Sequence, residues 1–410
     1  MRILICGINF TPELVGIGKY TGEMAAWLAG RGHEVRVVTA PPYYPDWQVA
    51  EGYFAWWYRT GQVNGVAVWR CPVWVPKKPS GLKRIAHLLS FALSSFPIMV
   101  RQIFWRPEVI IAIEPPFFCT PATLLGARLC RAKTWLHVQD FEIDAAFELG
   151  LLSSGVMRCW VAGIEQWLMA KFDWVSTISE RMRQRLGQKG VASGKCFFLP
   201  NWVDLEQIHP LSCTSPMRKA LGISADQIVL LYSGNMGNKQ GLELIIEAAR
   251  RLAGKSQIRF VLCGDGCVRE KLQRQAEGLA NILWLPLQPL ERLNDLLNLA
   301  DVHLLPQKGG AADLVMPSKL TGMLASGRPI VATAPVGSEL GKVVSKTGVV
   351  VEPENVEQFI AVIAQLIEDS EQRHRLGNQA RLYAEQHLDK EKILARFEEE
   401  LKKTGLRAEG

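Results

Sequence analysis

No aspartate or glutamate occurs between Glu51 and Glu108, a stretch that holds eight lysines and arginines and five tryptophans. A surface without carboxylates points away from cationic partners. Long hydrophobic runs are also missing. The longest charge-free segment of this stretch, Ile85–Val100, has sixteen residues and is broken by Pro97 and three serines. A bilayer-spanning helix needs roughly 20 apolar residues, so this segment reads as an interfacial or buried helix. The nine cysteines include no Cys-x-x-Cys pair, which leaves neither a zinc site nor a disulfide framework. MRILICGINF offers about eight apolar residues and no small-residue cleavage site, so it reads as a buried first strand and not as a secretory signal. A cytoplasmic protein is expected. Neither a Walker phosphate loop nor Gly-x-Gly-x-x-Gly is present. No nucleic-acid motif accompanies the basic charge, so no nucleic-acid partner is expected.

What is present is uneven. Residues 1–200 hold 22 Lys/Arg against 14 Asp/Glu, whereas the remainder holds 25 against 26. Twelve of the 13 tryptophans lie at or before Trp202. The eight unopposed cations (Arg59, Arg70, Lys77, Lys78, Lys83, Arg84, Arg101, Arg106) alternate with Trp56, Trp57, Trp69, Trp74 and Trp105. Cations and tryptophans together suit the headgroup level of an anionic bilayer. Residues 52–107 are therefore expected to meet an anionic membrane surface, with the protein peripheral on the inner face of the cell membrane.

Short, nearly continuous apolar runs alternate with helical patterns along the whole chain. Expected strands include Ile3–Ile8, Glu34–Thr39, Val109–Ile113, Lys133–Val138, Trp174–Ile178 and Lys195–Leu199. A second series comprises Ile228–Ser233, Arg259–Cys263, Ile282–Leu285, Val302–Pro306, Pro329–Ala332 and Gly348–Val351. Strands apolar on both faces belong in parallel sheets covered by helices. The pattern predicts an α/β fold of two doubly wound, Rossmann-like domains facing a central cleft. The boundaries expected are 1–203, 204–385, and 386–410 as a C-terminal helix and tail.

Glycine-bearing turns follow the expected strands where ligands bind such sheets. They are Gly16-Ile17-Gly18-Lys19, then Gly234-Asn235-Met236-Gly237-Asn238-Lys239-Gln240-Gly241, and Gly264-Asp265-Gly266. Met316-Pro317-Ser318-Lys319 precedes a helical segment, where a hydroxyl and an ammonium can hold a diphosphate. Together these turns favour a nucleotide-diphosphate pocket in the second domain.

The ordered set of motifs resembles the retaining, two-domain, nucleotide-sugar-dependent glycosyltransferases of family four. The match runs nearly end to end: GIGKYTGEMAAWLAGRGHEVRVVT, Thr177-Ile178-Ser179-Glu180, Pro200-Asn201-Trp202-Val203-Asp204, YSGNMGNKQGLE, Gly264-Asp265-Gly266 and Ala325-Ser326-Gly327-Arg328-Pro329. Val38–Pro45 (VTAPPYYP), WRCPVWVPKKPS and PSKLTGMLASG make it similar in particular to colanic-acid-type exopolysaccharide enzymes. The resemblance implies that Gly16 and Gly18 approach donor phosphates or acceptor. It also implies that Lys239 binds the diphosphate, with Asn235 standing where the family has arginine. The family's pair of glutamates, with seven residues between them, is replaced by Leu314 and Gly322. Asp313 beside the first is then the candidate for the donor sugar, and Ser318 and Lys319 carry more of the phosphate binding. Gln139 stands at the family's histidine position ahead of Asp140. His137 lies two residues earlier on the same strand face.

The expected reaction is transfer of a hexose from a GDP- or UDP-linked sugar to a lipid-linked saccharide, with retention, in exopolysaccharide biosynthesis. Lys239, Lys319, Asp140 and His137 are the catalytic candidates. Gly234, Asn235, Gly264, Asp265 and Gly266 join the donor contacts. No cofactor beyond the donor substrate is expected. Asp140, Glu142 and Asp144 could be mistaken for a metal-binding run, but no metal is expected. The competing readings are a sugar-nucleotide epimerase or phosphorylase of the same fold, and a non-catalytic membrane-binding scaffold.

Overall fold

A computed structural model describes residues 1–14, 16–78, 80–148, 155–309, 316–335 and 337–406. The chain divides into two compact units. One is residues 1–200 with 392–410, the other residues 201–391. The sequence places this divide at 203/204 and sets 386–410 apart. In the structure the chain returns to the first unit from Lys392 onward.

The first unit is built on eight strands: β1 (Arg2–Cys6), β2 (Glu34–Thr39), β3 (Arg59–Val63), β4 (Val66–Arg70), β5 (Val109–Glu114), β6 (Lys133–Val138), β7 (Trp174–Thr177) and β8 (Cys196–Phe198). Their order is β3-β4-β2-β1-β5-β6-β7-β8. All neighbours are parallel except β3 and β4. Every residue of β5 is buried, as a strand covered on both faces requires. The β3–β4 hairpin is absent from the sequence reading. Its turn is Asn64-Gly65, both at positive φ, and Val63 pairs with Val66. That dipeptide is the preferred two-residue hairpin turn.

The second unit holds β9 (Ile228–Ser233), β10 (Ile258–Cys263), β11 (Ile282–Leu285), β12 (Val302–Leu305), β13 (Ile330–Thr333) and β14 (Gly348–Val351). All pairings are parallel, in the order β11-β10-β9-β12-β13-β14. Strand order reverses between β1 and β5 in the first unit and between β9 and β12 in the second. Ligands bind outside the carboxyl ends of strands at such switch points. The helix Glu243–Arg251 buries Leu244, Ile245, Ile246, Ala248 and Ala249, which join the core around Leu230, Phe260 and Val302.

The helix Lys390–Leu406 closes the first unit. Leu394, Phe397 and Leu401 are fully buried, and Phe397 meets Trp135 edge-on with centroids 4.9 Å apart. Glu398 lies 3.3 Å from Arg31 and 3.0 Å from His33.

Candidate active site

In the second unit the turns after β9 and β10 lock together through their glycines. Gly234, Gly264 and Gly266 have φ of 127°, 140° and 150°. A Cβ on Gly264 would lie 2.0 Å from the Gly234 carbonyl oxygen, and one on Gly266 would lie 2.4 Å from that of Met236. These two glycines therefore serve the approach of one loop to the other. The Met236 N–H donates to the Asp265 carbonyl at 2.7 Å and completes the clasp. Asp265 is exposed, with Arg269 4.0 Å away.

Lys319 enters this frame from the start of the helix Lys319–Ala325. Its Nζ donates to the Tyr232 hydroxyl at 2.7 Å and sits 4.2 Å from the centre of that ring. The Tyr232 hydroxyl donates onward to the Asn235 carbonyl at 2.5 Å. A Cβ on Gly234 would lie 3.0 Å from the ammonium, so glycine leaves that side of the amine clear. Burial pulls the Lys319 pKa down from 10.5 to about 7. Burial also pushes Tyr232 upward, which keeps its hydroxyl a donor near neutrality.

Lys239 is exposed on the short turn Asn238–Gln240 and makes no ion pair with any described residue. Its carbonyl accepts from the Lys308 N–H at 3.0 Å, which ties the loop after β9 to the one after β12. Ser318 and Asn235 are also exposed. Asp313 and Leu314 lie outside the described residues. At Gly322 a Cβ would lie 3.1 Å from Leu297 Cδ1, so that position faces the helix Leu293–Leu297.

The first unit places its predicted residues less openly. Gly16 opens the helix Gly16–Gly30 at φ 63° and, among the described residues, has only the Tyr44 ring within 4 Å of its missing Cβ. Gly18 is different: a Cβ there would lie 2.4 Å from a Glu13 oxygen. The Glu13 carboxylate fills that space and accepts from Asn9 Nδ2 at 2.9 Å and from the Tyr43 and Tyr44 N–H groups at 3.1 Å. Gly18 thus accommodates a buried carboxylate of its own chain.

His137 is buried, with both ring nitrogens engaged. Its Nδ1 lies 2.8 Å from Ser176 Oγ, and Gln139 Nε2 lies 2.9 Å from its Nε2. Burial lowers its pKa to about 3, so it stays neutral. Asp140, Glu142 and Asp144 point to separate fates. Asp140 is exposed, Glu142 accepts from the Phe117 N–H at 2.8 Å, and Asp144 is bound by Lys189 at 2.8 Å and Arg185 at 3.0 Å.

Glu142 and Glu114 were given no acid–base role by the sequence reading. Burial raises Glu142 to a pKa of about 7, against the opposing Phe117 hydrogen bond and with help from the Asp140 charge. A carboxyl with that pKa can exchange a proton near neutrality. Glu114, the last residue of β5, is fully buried and held well above the usual carboxylate range by burial and by the charges of Glu142 and Glu165. Tyr232 was also missed, because its partner lies 87 residues away. A carboxylate ending the otherwise apolar β5 and a tyrosine one residue before the end of the apolar β9 were the available signals.

Comparison with known proteins follows the same division. Residues 15–202 match the glycosyl transferase 4-like domain, and residues 214–383 match the glycosyl transferases group 1 model. WcaI of Escherichia coli (strain K12), named as a colanic acid biosynthesis glycosyl transferase, is 45% identical over 97% of this chain and 98% of its own. Sucrose-phosphate synthase from Thermosynechococcus elongatus superimposes with a TM-score of 0.73 at 16% identity, covering 98% of both chains. Anabaena HepE, solved in complex with UDP-glucose, gives 0.69 at 15% identity over 98% of this chain and all of that one. Those two likenesses carry the fold, and the sequence matches carry the family. The chain belongs to family four of the glycosyltransferases, with two Rossmann-like domains.

Proposed function

We propose that the protein transfers a hexosyl group from a nucleoside-diphosphate sugar to a lipid-linked saccharide in exopolysaccharide assembly, with retention at the anomeric carbon. The observation that carries this reading is Lys319, an amine seated between Tyr232 and Gly234 at the carboxyl end of β9. A departing diphosphate gathers negative charge as the glycosidic bond breaks. A preorganised ammonium in a partly dehydrated site stabilises that charge, with exposed Lys239 and Ser318 beside the same strand ends. Similarity to a relative named for colanic acid biosynthesis, and to one solved with UDP-glucose, supports an exopolysaccharide setting and a nucleotide-sugar donor. Retention rests on the family, with same-face attack guided by the leaving diphosphate.

The acceptor reading rests on the basic, aromatic stretch 52–107. Trp56 and Trp57 are 71% exposed, and Lys77, Lys78, Lys83 and Arg84 stand exposed nearby in sequence. The expected Ile85–Val100 segment lies within the helix Gly81–Ile103, and no helix among the described residues is long and apolar enough to cross a membrane. A protein held against the bilayer on this side meets a lipid-linked acceptor where it resides.

A thermal-shift panel of GDP-, UDP- and ADP-sugars selects the donor, and radiolabelled transfer to a membrane extract reads the reaction. Lys319→Ala is expected to lower turnover at least tenfold. Unchanged transfer by that variant, or a panel with no stabilising nucleotide sugar, removes the reading.

A further inference from the structure

The helices Gly81–Ile103, Thr120–Cys130 and Gly155–Lys171 form one row, the middle one packed against both others. Each buries one face and leaves apolar residues on the opposite one. In the first helix the buried side is His87, Phe91, Ser95 and Met99, while Leu82, Leu89, Leu93, Phe96 and Val100 recur at helical spacing on the far side. Leu125 and Leu129 continue the surface on the middle helix, at 47% and 61% exposed. On the third, Glu165, Leu168 and Met169 face inward. Val156, Trp160, Ile164 and Trp167 face out at 72%, 70%, 53% and 60%. A shallow groove between Trp160 and Trp167 is floored by Cys159 and Gly163.

Exposure of this kind is concentrated in one unit. Of the 24 large exposed apolar residues among those described, all but Leu287, Leu290 and Leu382 belong to the first unit. Contiguous exposed apolar surface marks a partner. Charge says which one. The three helices contain a single carboxylate, Glu165, and it is buried against Lys189 at 2.6 Å. Exposed cations border the apolar residues: Lys83 and Arg101 on the first helix, Arg128 on the second, and Lys171 on the third. Lys171 lies 5.4 Å from the Trp167 ring, so aromatic and cation share one edge. A second copy of the chain would set these cations against their equivalents, whereas anionic headgroups would neutralise them.

We infer that this three-helix face seats on an anionic lipid bilayer, with Trp160 and Trp167 at headgroup level and the outward leucines reaching the acyl boundary. The inference takes its class of partner from the membrane reading above and extends it to the helices Thr120–Cys130 and Gly155–Lys171, which lie outside residues 52–107.

The test uses the full chain and vesicles of phosphatidylcholine with and without phosphatidylglycerol. Three variants are compared: Trp160→Gln with Trp167→Gln, Leu125→Gln with Leu129→Gln, and a Lys77/Lys78/Lys83/Arg84→Gln variant. Both apolar pairs should sediment with anionic vesicles at least tenfold more weakly than the wild type, with unchanged melting temperature and circular dichroism. Brominated lipid should quench wild-type tryptophan fluorescence, with less quenching in the Trp160/Trp167 variant. If only the four-cation variant detaches, the reading for 52–107 stands and this inference falls. If only the apolar variants detach, this inference stands and that reading falls. A wild type that ignores vesicles but dimerises in sedimentation velocity, with dimerisation lost in the tryptophan variant, assigns the face to a second copy and overturns the inference.

Discussion

Donor affinity should depend on pH through Lys319. Burial lowers its pKa from 10.5 to about 7, so the empty site at pH 8 holds mostly neutral amine. At about 1.4 kcal/mol per pKa unit, keeping the proton in the empty site costs on the order of 4–5 kcal/mol. A diphosphate beside Nζ restores the protonated form. The sign follows directly. The anion selects the charged amine, so affinity is complete below pH 7 and declines as pH rises through that value. With a bound-state pKa above about 9, the nucleotide sugar should bind roughly thirtyfold more weakly at pH 8.5 than at pH 6. Binding should take up about 0.9 proton at pH 8 and about 0.1 at pH 6, read by calorimetry in buffers of different ionisation enthalpy. A nucleotide sugar is the right probe, because its doubly esterified diphosphate does not titrate across this range. Lys319→Met should flatten the profile, and Tyr232→Phe should shift it while weakening binding by about 1.5–3 kcal/mol through loss of the hydroxyl partner. Affinity that varies less than twofold from pH 6 to 8.5, or a Met variant with the wild-type slope, would refute the assignment.

Three further outcomes follow from the packing. Gly264→Ala places a Cβ 2.0 Å from the Gly234 carbonyl oxygen and should destabilise the second unit by about 2 kcal/mol or more, measured by urea unfolding, with donor binding weakened in step. Lys189→Met strips the buried Asp144 and Glu165 of their shared cation and should cost about 3–5 kcal/mol, whereas a loss below 1 kcal/mol would show the cluster to be well hydrated. Burial alone would raise Glu398, but hydrogen bonds from Lys402 and His33 and the Lys402 and Arg31 charges hold it near 2. Its stabilisation is therefore present above its usual pKa of 4.5 and is lost as pH falls from there toward 2. Glu398→Gln should melt with a flatter pH dependence across that window.

Most of both sheets was legible because parallel strands buried on both faces must be nearly continuous in apolar residues, as β5 and β9 are. The β3 strand was not, since RTGQV is exposed along almost its whole length and carries no alternation. Only its Asn-Gly turn betrayed it. Lys319 could be found from its place after Ser318, but Tyr232, which fixes its geometry, is joined to it by the fold alone. Gly18 shows the reverse case. A glycine near a strand end suits a ligand and suits a neighbouring side chain equally, and Glu13 took the space. His137 was correctly placed on a strand, yet nothing local announced that Ser176 and Gln139 would occupy its two nitrogens.

The return of the chain to the first unit bears on how the protein is made. Residues 201–391 form an uninterrupted unit that can complete its sheet while the ribosome is still translating. The first unit cannot, although it is synthesised first. Trp135 waits for Phe397, and Arg31 and His33 wait for Glu398, until the last segment emerges. The order of maturation is thus the reverse of the order of synthesis. A fragment ending at Pro200 would leave an unfilled apolar seam where Leu394, Phe397 and Leu401 belong.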